Sequence, residues 1–190
     1  MENIEIFENM IKKILKTEDF SIICDLANCV DDEQLEKLTE LVIDTQNLDY
    51  YLKYISLVPQ ANIDKIIDAI LEDDDENAIS SLYMAFNDEK RDRIIKKVVQ
   101  AKKSSYIIKI AYDLQKNNLI TDSEIKKLTN AIIKIGNVLH INQFPMYIKN
   151  VDRNKISQAI DNIISCNFMK KNKNENINEN ASKKDDENAN

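Results

Sequence analysis

The nine residues IDKIIDAIL at positions 63–71 carry isoleucine or leucine at the first, fourth, fifth, eighth and ninth places. This spacing of apolar side chains is typical of an α-helix that buries one stripe along its length. The same pattern recurs 28 residues earlier in LEKLTELVI (35–43) and 28 residues later in RDRIIKKVV (91–99). The stretch therefore predicts an amphipathic helix that is repeated along the chain.

Three further copies extend the pattern in both directions. FENMIKKIL (7–15) keeps the 28-residue spacing, whereas IKKLTNAII (125–133) follows 34 residues after its predecessor and ISQAIDNII (156–164) another 31 residues on. Among the four copies that are spaced by 28 residues, only Thr39 and Arg91 stand where an apolar side chain is expected.

Apolar side chains also recur between these copies, in sets that begin at Ile23, Tyr51, Ile79, Ile107 and Ile141. Each unit is therefore predicted to be a hairpin of two helices. In the fifth unit Pro145 replaces a core-facing residue and predicts a kinked or delayed helix. The sixth unit has a first helix only, which is predicted to end near Phe168.

A hairpin of this size buries its apolar stripe only against neighbouring hairpins. We therefore predict an all-α fold, an α-solenoid of about five and a half tandem helical hairpins with a period of 28–34 residues. Over residues 3–168 it resembles, in architecture, the HEAT-like and TPR-like class, although the Trp, the Leu-Gly pair and the terminal Pro of the tetratricopeptide repeat are absent. A closed helical bundle is the alternative arrangement of the same helices.

Capping residues predict where the helices begin and end. Second helices are expected to begin at Thr17 and Thr45, and first helices at Asp31, Asn87 and either Asp122 or Ser123. Gly136, the only glycine of the chain, follows a first helix where a left-handed residue is favoured.

The polar end of the chain differs from the rest in composition. Residues 169–190 contain almost no apolar side chain, so we expect a disordered tail after a helical-repeat domain of residues 1–168. The N-terminus is acidic, and no apolar run approaches the roughly 20 residues that cross a bilayer. A cytoplasmic location and no membrane partner are therefore expected.

The acidic run EDDDE at 72–76 invites comparison with a calcium loop, but Ala78 and Met84 replace the glycine and the bidentate glutamate that such a loop needs. We interpret this run as the connection that caps the second helix of its unit. The chain has one histidine and three cysteines without a C-x-x-C pair. We therefore expect no metal site, no cofactor and no catalytic residues, and predict that the protein is not an enzyme.

Charge is divided between two halves of the chain. Residues 1–89 contain 22 acidic and 6 basic side chains, whereas residues 90–168 contain 15 basic and 6 acidic ones. The densest basic cluster surrounds the fourth unit, and we expect partner binding by its members Arg91, Arg93, Lys96, Lys97, Lys102 and Lys103.

A second candidate surface follows from the repeat. Tyr50, Tyr106 and His140 occupy the same register position on three second helices, where they would line a ridge along the stack. The same rings would equally well pack between adjacent units.

These features favour a non-catalytic protein–protein interaction scaffold that binds a protein or peptide partner. The alternative is binding of nucleic acid, RNA in particular, by the basic half at residues 90–168, although a pI near 4.9 opposes it. Head-to-tail self-association of the acidic and basic ends is a third hypothesis.

Overall fold

The computed structural model of the chain describes residues 2–16, 20–58 and 61–167. Throughout these ranges the chain forms helices and turns, with no β-strand. The predicted all-α class is therefore confirmed. The tail at residues 169–190 and the expected cap Thr17 lie outside the described residues.

The helices alternate between first and second members of the predicted hairpins. The first helices are α1 (Glu2–Leu15), α3 (Asp32–Ile43), α5 (Ile63–Glu72), α7 (Asp88–Gln100), α9 (Asp122–Ile135) and α11 (153–167). The second helices are α2 (Phe20–Ala27), α4 (Leu48–Leu57), α6 (Glu76–Ala85), α8 (Ser104–Lys116) and α10 (Val138–Gln143). A 3₁₀ turn, Phe144–Met146, follows α10 and contains Pro145, which explains why this helix is only six residues long.

Capping residues fix several of these boundaries as predicted. The Asp31 side chain accepts a hydrogen bond from the Gln34 amide at 2.9 Å, and the Gln34 side chain accepts one from the Asp31 amide at 3.3 Å. This reciprocal pair is a capping box at the start of α3. Asn87 likewise caps α7 through the Lys90 amide.

Two predicted caps are wrong. The cap of α4 is Asn47, because the Thr45 hydroxyl instead donates to the carbonyl of Val42 at the end of α3, at 2.6 Å. The cap of α9 is Thr121, one residue before the predicted Asp122 or Ser123. At both boundaries several residues of types that cap helices follow one another in the sequence. Residue type alone therefore does not identify which of them is the cap.

A left-handed residue follows each of four first helices at the same register position. These residues are Gln46, Asp74, Lys102 and Gly136, with φ of 50°, 59°, 56° and 80°. The prediction for Gly136 is confirmed. The other three residues carry a Cβ, which makes this region of φ energetically unfavourable. The sequence has no glycine at these positions that would have predicted the turns.

Packing follows the repeat. Each first helix from α1 to α7 contacts the next first helix, and each second helix from α2 to α8 contacts the next second helix. Their buried stripes form one continuous hydrophobic cluster, in which Tyr54, Tyr83 and Tyr106 of the second helices are among the largest fully buried side chains. This succession is consistent with a helical repeat.

Thr39, a polar exception to the apolar pattern, is buried in this cluster. Its hydroxyl lies 3.0 Å from the carbonyl of Leu35 and 3.1 Å from the hydroxyl of Tyr54. Burial raises the pKa of Tyr54 to about 12. Thr39 therefore provides a hydrogen-bonding partner for a phenol that has no access to water.

Candidate functional site

Ion pairs join successive first helices in a regular series, which we call the ion-pair ladder. In each rung an acidic residue at the second place of one aligned stretch meets a basic residue at the third place of the next. The rungs are Glu8–Lys37 (3.2 Å), Glu36–Lys65, Asp64–Arg93 (3.1 Å) and Asp92–Lys127 (2.7 Å). Exposed pairs of this kind contribute little to stability but favour one register between neighbouring helices.

Further pairs strengthen the contact between α5 and α7. Lys97 meets Asp68 at 2.5 Å, and Lys103 meets Asp74 at 2.6 Å in the turn that follows α5. Together with Arg93, these lysines were expected to bind a partner, yet all three neutralise acidic side chains of the preceding unit. Many of the charged side chains in the acidic and basic halves therefore pair with one another within the molecule.

Arg91 belongs to a buried polar cluster. Its guanidinium lies 3.1 Å from the Glu124 carboxylate, donates through Nε to the Tyr83 carbonyl at 2.8 Å, and stands over the Tyr83 ring at 5.1 Å. Glu124 is buried and also accepts a hydrogen bond from the Tyr83 hydroxyl. Burial, and then this hydrogen bond, raises the pKa of Tyr83. Arg91 thus ties α6, α7 and α9 together.

The predicted ridge of aromatic side chains is interrupted. Tyr106 is only 1% exposed, and its hydroxyl donates to Asp74 at 3.0 Å. Burial is the main cause that raises the pKa of Tyr106, with Asp74 second. Tyr50 is partly buried and packs against the core. His140 lies with Nδ1 2.6 Å from the Ser104 hydroxyl and so links α10 to α8.

The remaining predicted cations line an open groove between α7 and α9, which we call the lysine groove. Its volume is about 650 Å³ and its floor is apolar. The floor is formed by Ile95, Val99, Ala131 and Ile135, and the lysines around it are Lys96, Lys102, Lys127 and Lys134. Lys127 is paired with Asp92, whereas the other three make no ion pair with any residue that the structure describes.

A second groove, of about 380 Å³, lies between α8 and α10. We call it the tyrosine groove, and its lining includes Ile108, Lys109, Tyr112, His140, Gln143 and Tyr147. The rings of Tyr112 and Tyr147 meet edge to face, with centroids 6.3 Å apart. They are 43% and 37% exposed, and the neighbouring Met146 is 79% exposed.

Sequence reasoning selected His140 of this groove but missed both tyrosines. A signal was present in α8, where Tyr112 stands outside the buried stripe. The ammonium groups of Lys109 and Lys116 lie 5.8 and 6.0 Å from the centre of its ring. An aromatic residue on the polar face of a helix, with lysines one turn away on either side, is therefore the pattern to look for.

The acidic run between α5 and α6 has a structural role. Asp75 caps α6 by accepting from the amides of Asn77 and Ala78, at 2.9 and 3.0 Å. In the part of the chain that the structure describes, no group of three His, Cys, Asp or Glu side chains is arranged to hold a metal ion.

None of the helices within the described ranges has the length and apolar character required to cross a bilayer. No protein-family model matches the chain, and neither a curated protein nor a solved structure does so.

Proposed function

We propose that this protein is a non-catalytic interaction scaffold, an α-solenoid of about five and a half hairpins with HEAT-like and TPR-like architecture, that binds a protein or peptide partner. Serial contacts among the first helices and among the second helices support this architecture. In a closed bundle the terminal helices would also pack against each other, whereas the main contacts here join near neighbours along the chain.

The exposed pair formed by Tyr112 and Tyr147 carries the proposal. Large aromatic side chains that remain accessible are typical anchors of protein interfaces, since each covers much apolar area and keeps a polar tip. The two rings already contact each other, so their orientation is partly fixed before a partner arrives. The exposed thioether of Met146 extends the apolar surface beside them.

The test is a capture experiment from a lysate of the source cells, with and without nuclease, read by mass spectrometry. The native full-length chain is compared with the double variant Tyr112→Ala/Tyr147→Ala. Leu57→Ala is the matched control, because Leu57 is an apolar residue of α4 that is 57% exposed and lies outside the groove. A stoichiometric partner that survives nuclease and is lost only with the double variant would support the proposal. Equal recovery with all three chains would refute it.

Nucleic-acid binding is the second candidate, and the lysines beside Tyr112 favour it. A base stacked on an exposed tyrosine with ammonium groups nearby is a common arrangement in single-strand binding proteins. Against this, Arg91, Arg93, Lys97 and Lys103 are already paired with carboxylates. Loss of all captured material on nuclease treatment, and affinity for an RNA oligonucleotide that falls steeply with added salt, would favour this function instead.

Head-to-tail self-association is less well supported. Continuation of the ladder into a second molecule would need a base at the third place of the first stretch and an acid at the second place of the last one. Those places hold Asn9 and Ser157. Sedimentation at increasing protein concentration tests this hypothesis, and cell fractionation tests the predicted cytoplasmic location.

A further inference from the structure

The lysine groove lies at the α7/α9 interface. It is open because two aligned positions carry different residues there from those at the α5/α7 interface. Between α5 and α7, the sixth place of the earlier stretch is Asp68 and the seventh place of the later one is Lys97, and the two form an ion pair. Between α7 and α9 the same places hold Lys96 and Ala131. Lys96 is exposed and lacks an ion-pair partner among the described residues, and Ala131 has no side chain beyond Cβ to cover the floor.

The shape of the groove restricts what can fill it. Its α7 wall extends from Asp92 to Gln100, which corresponds to about 12 Å or two helical turns. The floor presents two apolar residues from each helix, and Lys96, Lys102 and Lys134 place positive charge around it. Asp92 also lines the groove, but it is paired with Lys127. Among the described residues that line this groove there is no aromatic ring on which a nucleic-acid base would stack. Apolar side chains flanked by carboxylates complement both the floor and the charge.

We propose that the lysine groove binds a two-turn acidic amphipathic helix of a partner protein. Apolar side chains of that helix, spaced three and four residues apart, cover Ile95, Val99 and Ala131. Its carboxylates pair with Lys96, Lys102 and Lys134, and so supply the negative charge that Asp68 supplies to Lys97 one unit earlier. The inference rests on the proposed function and adds a contact surface on the first helices, distinct from the tyrosine groove on the second helices.

The probe is a fluorescein-labelled peptide of about four turns, with Leu at helical spacing on one face and Glu at the other positions. Fluorescence anisotropy with the full-length protein at low salt measures its affinity. We expect saturable binding, at least tenfold weaker binding of the same peptide with Gln in place of each Glu, and amide chemical-shift changes confined to α7 and α9.

Matched variants test the place of binding. Lys96→Glu is expected to weaken the peptide at least tenfold. Lys126→Glu, which makes the same change of charge at an exposed residue of α9 outside the groove, should alter affinity less than twofold. Ala131→Glu places a carboxylate opposite Lys96, in the manner of Asp68 and Lys97, and should abolish binding. Circular dichroism of each variant confirms that its helices remain.

The inference is overturned if Lys96→Glu and Lys126→Glu weaken the peptide equally, since the attraction would then depend only on overall charge. It is also overturned if a single-stranded oligonucleotide or anionic phosphatidylserine vesicles occupy the groove while the acidic peptide does not. A lysate partner that depends on Tyr112 and Tyr147 but not on Lys96 would leave the proposed function standing without this inference. Peptide binding at Lys96 without any lysate partner would count against the proposed function alone.

Discussion

The α5/α7 and α7/α9 interfaces join consecutive first helices through the same register positions, and each contains one rung of the ion-pair ladder. Their other charged side chains are used differently. At α5/α7, exposed pairs such as Asp68–Lys97 neutralise one another at the surface. At α7/α9, Arg91 and Glu124 are withdrawn into the protein, where their side chains are 19% and 5% exposed. Lys96 meanwhile makes no ion pair with any residue that the structure describes. The difference separates three roles for charge: fixing register, holding helices together from within, and remaining available to a partner.

The largest effect is expected from the buried cluster at α7/α9. Glu124→Leu leaves the Arg91 guanidinium without its carboxylate and removes the acceptor of the Tyr83 hydroxyl. We expect a loss of about 3–5 kcal/mol in the free energy of unfolding, measured by urea denaturation. The double variant Arg91→Met/Glu124→Leu should recover much of this loss, because no unpaired charge remains. If the unfolding free energy fell only as much as it does when a surface ion pair is broken, the two interfaces would not differ in the way described.

Alkaline pH tests the buried phenol of Tyr54 in α4. The pKa of Tyr54 is about 12 in the folded protein, above the value near 10 of an unfolded chain. The protonated phenol therefore contributes stability that is fully present below pH ~10 and is lost as pH rises towards ~12, by roughly 2 kcal/mol. Urea midpoints measured across this range should fall less for Tyr54→Phe than for the native chain. Parallel curves for the two chains would contradict this prediction.

A neutral buried contact in the N-terminal half gives an intermediate case. Thr39→Val removes the partner of the Tyr54 hydroxyl while keeping the side-chain volume. We expect a loss of about 1–2 kcal/mol in unfolding free energy, since the phenol is left unsatisfied. Thr39→Ser keeps the hydroxyl and should retain the hydrogen bond. Thermal denaturation of both variants measures the difference.

The smallest effect is expected at α5/α7. Lys97→Ala breaks a pair whose Asp68 partner is 48% exposed, so the expected loss is about 0.2–1 kcal/mol and should shrink further at high salt. Urea denaturation at low and high ionic strength measures it. A loss that approaches the one for Glu124→Leu, or that is insensitive to salt, would show that this ion pair contributes more than register.

How far the sequence predicts the structure depends on which interaction decides each feature. The apolar register identifies the helical pairs because burial of a stripe is a local periodic requirement. The predicted ridge is interrupted at Tyr106, which flanks the stripe. This ring is buried in the hydrophobic cluster, as in the packing alternative, and its hydroxyl donates to Asp74 of a neighbouring turn. Capping at α4 and α9 was wrong where capping residues are adjacent, since their side chains compete for the same amides.

The sequence shows the division of charge, but it does not show which charged side chains form ion pairs within the protein. Residues such as Asp64 and Arg93 are separated by one position more than the 28-residue period, and they meet only when successive first helices lie side by side. Lys96 was predicted to bind a partner together with the other basic residues of the fourth unit. It differs from them only in the residue that lies opposite it in the neighbouring unit. Tyr147 was missed because it follows the 3₁₀ turn, outside the repeating pattern.

The ion-pair ladder also bears on how a chain of this kind changes length over generations. Since each rung joins the second place of one stretch to the third place of the next, removal of residues 63–90 would bring Arg93 opposite Glu36, where Lys65 now stands. Duplication of the same segment would repeat an acceptable rung. The 28-residue units are thus interchangeable at their surface, whereas the α7/α9 junction depends on its own Arg91–Glu124 pair. Unequal recombination can therefore lengthen or shorten the N-terminal side while the lysine groove, whose lining lies within residues 92–135, is inherited intact.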